Sequence, residues 1–220
     1  MNKRPGGRIA ARPLHLIWLL DCSGSMKSDG KIEALNTAVR EAIPHIRATA
    51  RQNPEAELLL RAVAFSDGAY WHVQEPTPPE AFRWTDLTAE GHTDLGKALH
   101  LVAEHMSVPP MPKVALPPAL ILVSDGQPTD DFGAGLNALL ETQWGRKAIR
   151  MAIAIGQDAS NSTLQRFIGN DEFRPLQADN PQAVVEYLRF ASTAAIDSAS
   201  RLVKRREPDP EDLKQDSVMW

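Results

Sequence analysis

The run Leu14-His15-Leu16-Ile17-Trp18-Leu19-Leu20 stops abruptly at Asp21, and no other stretch constrains the fold as strongly. Its apolar residues follow one another instead of alternating with polar ones, so a strand here has no face to give to water and must be covered on both sides. Lys3, Arg4, Arg8 and Arg12 precede it in the manner of a secretory signal. The run is short for that purpose, contains His15, and ends in a charge where small residues would mark cleavage. A lipidated Cys22 is disfavoured by the same charge. No stretch approaches the roughly 20 apolar residues that cross a bilayer. The expectation is a cytoplasmic protein without a membrane span.

Downstream, the pattern alternates between buried strands and amphipathic helices. Ile32, Leu35, Val39, Ile43 and Ile46 recur at helical steps, with Pro44 predicting a kink or a split. Residues 58–65 read as a second buried strand, and 69–73, after Ser66-Asp67-Gly68, as an antiparallel edge partner. Residues 74–90 read as a surface loop and 94–106 as a helix. The stretch 108–118, with five prolines, reads as a loop. Strands at 120–123, 149–155 and 173–176 then alternate with helices at 132–142 and 163–168. A long helix begins at Pro181, behind a capping Asn180. This order predicts an α/β, three-layer, doubly wound (Rossmann-like) domain. Its sheet is six-stranded and mainly parallel, with one antiparallel edge strand. The domain would span 13–206, between a basic arm (1–12) and an acidic tail (207–220).

Charge and cysteine content narrow the functional classes. The 24 Lys and Arg against 28 Asp and Glu leave −4, which gives nucleic acid and anionic membranes no global attraction. A single cysteine excludes an internal disulfide or a four-cysteine zinc site. Buried beside a strand, Cys22 reads as an inert thiol.

Three polar sequences fall at the strand ends or just before helices: Asp21-Cys22-Ser23-Gly24-Ser25, Gly91-His92-Thr93-Asp94 and Ser124-Asp125-Gly126. Asp21 and Asp125 supply carboxylates, and Ser23, Ser25 and Thr93 supply hydroxyls. In an extended loop, alternation at 21, 23 and 25 points three oxygens the same way. Such an all-oxygen set suits a hard divalent cation, Mg²⁺ before zinc or copper. Each piece also has an ordinary explanation. Ser28 or Asp29 can cap the first helix and Thr93 the second, and Asp125 can belong to a turn. Asp130 and Asp131 read as an acidic start to the following helix.

Taken together, the three pieces resemble the metal-ion-dependent adhesion site of the von Willebrand factor A domain family, in the family's order and on the expected elements. Within it the chain is similar to compact bacterial cytosolic members of the tellurite-resistance-associated TerY/YegL type. The resemblance implies Mg²⁺, with Mn²⁺ or Ca²⁺ as alternatives, held at Asp21, Ser23, Ser25, Thr93 and Asp125. It implies no catalysis, a partner that presents Asp or Glu to the metal, and company with a protein kinase and a PP2C-type phosphatase in stress signalling. Lys27, His92 and Trp220 are the candidate partner contacts. Two alternatives stand beside this: a partner of an AAA+ ATPase, and an aspartate-based phosphotransferase or phosphatase using Asp21. The second would want a carboxylate two residues on, where Ser23 stands.

Overall fold

The computed structural model describes residues 11–156, 159 and 161–204, without the side chains of 200 and 202–204. In chain order the elements are β1 (Arg12–Asp21), a 3-10 turn (Gly24–Gly30), α1 (Lys31–Gln52), β2 (Ala56–Ser66), β3 (Gly68–Thr77), α2 (Leu95–Ala103) and β4 (Ala119–Ser124). There follow α3 (Phe132–Glu141), β5 (Ile149–Ile155), α4 (Asn161–Ile168), β6 (Leu176–Ala178) and α5 (Pro181–Lys204). The sheet order is β3-β2-β1-β4-β5-β6, and every neighbouring pair is parallel except β2 with β3. The predicted architecture is therefore present, with β1 at its centre.

The uninterrupted apolar run is explained by two cores. Leu14, Leu16, Trp18 and Leu20 pack with α1 and α5 on one face, and Ile17 and Leu19 pack with α2, α3 and α4 on the other. Trp18 is fully buried, meets Phe82 edge-on at 5.7 Å between ring centres, and donates its Nε1–H to Ser192 Oγ at 3.2 Å. One indole thus ties β1 to α5.

Several sequence expectations are corrected. Arg12, placed in the arm, is the first residue of β1, and its guanidinium donates to the carbonyls of Val114 and Ala115. Pro44 does not split α1, which runs unbroken through it. Pro44 and Arg40, whose carbonyl loses its helical donor, lie on the exposed side, where water can take that donor's place. Neither Ser28 nor Asp29 caps α1, because Asp29 adopts a left-handed φ of 57° and Gly30 stands at the N-cap without a side-chain bond. The last strand lies at 176–178 rather than 173–176. Residues 78–90 are not merely a surface loop, since Phe82, Leu87 and Ala89 are buried in the α1–α5 core. Buried Asn36 pins them by accepting from Leu87 N–H (2.8 Å) and Trp84 Nε1–H (3.1 Å) and donating to the Leu87 carbonyl (2.9 Å). The basic arm up to residue 10 and the acidic tail lie outside the described residues.

His15 is a cost built into β1. It is buried with no hydrogen-bond partner at Nε2, and burial, aided by the nearby Arg61 guanidinium, pushes its pKa down from 6.5 to about 4. The unfolded chain therefore binds the extra proton first as pH falls, so stability is complete above 6.5 and declines toward 4. The loss amounts to about 3 kcal/mol. Urea unfolding at about pH 7 and about pH 4.5 should show this loss in the wild type and a much smaller one in His15→Leu. Equal losses would contradict the assignment.

Candidate metal centre

Strand order turns back between β1 and β4, and a crevice opens beyond the carboxyl ends of strands at such a point. The last registered pair is Leu20 with Val123, so Asp21 and Ser124 emerge side by side. Ser124 Oγ–H donates to Asp21 Oδ2 at 2.5 Å, and Ser23 N–H donates to Oδ1 at 2.9 Å. Burial pushes the Asp21 carboxyl above the usual carboxylate range; the Ser124 and Ser23 bonds pull it back, and the charge of Asp125 adds to the rise. Asp21 is thus a buried carboxylate that its hydrogen bonds do not fully compensate.

The loop after β1 is not extended as alternation suggested. From Gly24 it winds into the 3-10 turn, which places Ser25 on a tight turn while Met26 anchors it in the core. The hydroxyls still converge: Ser23 Oγ and Ser25 Oγ are 3.0 Å apart, and Ser25 Oγ–H donates to Asp125 Oδ1 at 2.7 Å. The other Asp125 oxygen accepts from Lys31 Nζ, also at 2.7 Å.

Thr93 arrives from a third loop, whose shape is set by the β2–β3 turn. Asp67 Oδ1 accepts from His92 N–H, Ser66 O accepts from Asp94 N–H, and Gly68 N–H donates to Asp94 Oδ2. Gly91 has a φ of +74°, and a Cβ there would lie 2.4 Å from the Asp67 carboxylate, so this loop needs glycine. Thr129 grips Thr93 at both backbone groups, accepting from its N–H at 3.0 Å and donating its own N–H to the carbonyl at 2.9 Å. Two further bonds, Gly24 N–H to Gly91 O and Glu90 N–H to Cys22 O, both 2.9 Å, lace this loop to the first. A Cβ on Gly126 would stand 3.7 Å from Thr93 Oγ1 and 3.8 Å from Ser25 Oγ, so those hydroxyls flank one point beside Asp125.

All five sequence-predicted positions are thus brought to one centre. Thr93 does not cap α2; that helix takes its cap from Asp130, whose oxygens accept from Gly96 and Lys97 N–H at 2.8 Å, while Asp131 caps α3. Among the partner candidates, Lys27 is exposed on the 3-10 turn, His92 is exposed on the rim with Nδ1 2.5 Å from Asp67 Oδ1, and Trp220 lies outside the described residues. Sequence reasoning missed Lys31, Ser124, Asp67 and Thr129. Only Lys31 carried a signal, a cation at the wrong end of a helix dipole.

The donor set fits a hard divalent cation. Every donor is oxygen, two are carboxylates, and the buried Asp21 gains from a positive charge nearby. No group of three His, Cys, Asp or Glu able to hold a metal occurs among the described residues; three of the five oxygens here are hydroxyls. Cys22, next to it, donates Sγ–H to Phe65 O, and burial pushes its thiol up to about 11. That leaves it protonated and a poor nucleophile.

No protein-family profile and no curated protein matches the sequence significantly. Solved structures do match. A von Willebrand factor type A protein from Catenulispora acidiphila aligns with a TM-score of 0.63 and 19% identity, covering 84% of this chain and 43% of that one. The ArnB paralog VWA2 from Sulfolobus acidocaldarius gives 0.58 and 18%, covering 82% and 45%. Proximal thread matrix protein 1 from the mussel byssus, described with a zinc-occupied MIDAS motif, gives 0.60 and 15%, covering 86% and 46%. The chain spans less than half the length of each of these three. At such identities the likeness is one of architecture: the chain has the von Willebrand factor A fold.

Proposed function

We propose that this chain is a non-enzymatic interaction module that binds a protein partner through a divalent cation, Mg²⁺ first. The observation that carries it is the meeting of five oxygen donors, from three loops laced together by backbone bonds, at the switch point of the sheet. The hydroxyls of Ser23, Ser25 and Thr93 and the carboxylates of Asp21 and Asp125 would hold the ion. Three of the five donors are neutral hydroxyls and the two carboxylates do no more than balance the ion's charge, so the bound ion can still seat an acidic side chain from outside. The similar mussel protein with metal in its motif supports the same assignment.

The surrounding groups favour binding over turnover. Ser23 stands where an aspartate-based phosphotransferase wants its general acid. His92 is engaged with Asp67, and Cys22 is buried. Following the sequence resemblance, the partners placed first are a protein kinase and a PP2C-type phosphatase of a cytoplasmic stress response. The described residues include no helix long and apolar enough to cross a membrane.

Affinity isolation with wild type and Ser23→Ala, with Mg²⁺ and with chelator, tests the proposal. The expected result is a partner retained only by wild type with metal. Retention that ignores both chelator and substitution would overturn it.

A further inference from the structure

Lys31 opens α1, where the helix dipole disfavours a cation. Its side chain nevertheless has a prepared course across the end of β5. Gly156, at a φ of +79°, lies under it, and a Cβ there would come within 3.1 Å of Lys31 Cε and 3.3 Å of Nζ. The ammonium reaches Asp125 Oδ2 at 2.7 Å, with the lysine side chain 15% exposed and that of Asp125 1% exposed. This is a nearly buried ion pair at the centre itself. It is held by three elements: the start of α1, the end of β5 and the loop after β4.

The charges give this pair a meaning. Asp21 and Asp125 sum to −2, and Lys31 brings the centre to −1. A divalent cation would then leave +1 with Lys31 in place and 0 without it. A fixed positive charge a few ångström away repels an incoming metal ion and attracts an incoming carboxylate. We infer that Lys31 is a tethered counter-charge that weakens the hold on the metal ion and strengthens the hold on the partner's acidic residue. This rests on the metal-binding proposal above and adds to it a residue outside the five motif positions.

The test reads two affinities expected to move in opposite directions, which a merely structural lysine would not produce. Mg²⁺ binding is measured by titration calorimetry on wild type, Lys31→Met and Lys31→Gln. Acetate binding to the Mn²⁺-loaded proteins is followed by water proton relaxation. Both variants should bind Mg²⁺ about tenfold more tightly and acetate about tenfold more weakly, the scale of one unit charge acting through a partly solvated site. Lys31→Arg should stay near wild type. Glutamine keeps a polar end for Asp125, so it reads out even if the methionine variant folds poorly. Metal binding that is unchanged or weaker in Lys31→Gln, or both affinities moving the same way, overturns the inference while leaving the metal centre standing. No Mg²⁺ or Mn²⁺ binding to wild type overturns the metal centre and the inference together.

Discussion

Replacing Asp21 with Asn is expected to separate two measurements that usually fall together. Mg²⁺ affinity should drop by about 10–100-fold, the range seen when a residue that orients a metal site is lost. The metal-free protein should become more stable. Asp21 is fully buried, its carboxyl is pushed above the usual range by that burial, and Asp125 adds repulsion. Asparagine removes the charge, keeps one oxygen to accept from Ser23 N–H, and turns its amide N–H toward Ser124 Oγ, a hydroxyl that can accept as well as donate. Thermal unfolding in chelator should show the midpoint rising, by about 2–4 °C for each kcal/mol gained at this chain length. In excess Mg²⁺ the order should reverse, because a ligand that binds only the folded state stabilises it by mass action. A variant destabilised in chelator would show that Asp21 serves packing, and unaltered Mg²⁺ affinity would remove it from the site.

The largest loss of stability is expected from Trp18→Ala. The indole is fully buried between β1 and α5, packs edge-on against Phe82, and is the hydrogen-bond donor to the fully buried Ser192 hydroxyl. Removing it leaves a cavity and an unpaired hydroxyl, for a combined cost of about 4–5 kcal/mol. That is a large share of the about 5–15 kcal/mol typical of a whole domain. Urea unfolding should register it, and Trp18→Phe, which keeps an aromatic ring but not the donor, should lose about half as much. A loss below about 1 kcal/mol in the alanine variant would mean the interior collapses around the gap.

Local pattern made the frame readable. The unbroken apolar run through Leu20 required cover on both faces, and β1 has α1 and α5 on one side and α2, α3 and α4 on the other. The five oxygen-bearing positions were legible because each sits at the end of a strand or the start of a helix, where pattern marks the boundary. What stayed hidden depends on partners distant in sequence. Asn36 looks like any polar helix residue until Leu87 and Trp84 close on it. Asp130 reads as the start of its own helix and in fact caps α2, more than thirty residues earlier. In the sequence Ser124 reads only as the neighbour of Asp125, although it is the hydroxyl that fixes Asp21. Alternation misled for Ser25, since side chains can converge through a 3-10 turn as well as along an extended strand.

Asp21 and Asp125 stand at the tips of β1 and β4, the two central parallel strands, and β1 is in register with β2 along its whole length. A partner tugging on the centre along the strand direction would therefore load those ladders in shear, many rungs at once, rather than peeling them one by one from an edge. The centre is placed like a tether point on a beam, and a pull on anything held there would test the middle of the sheet before its edges.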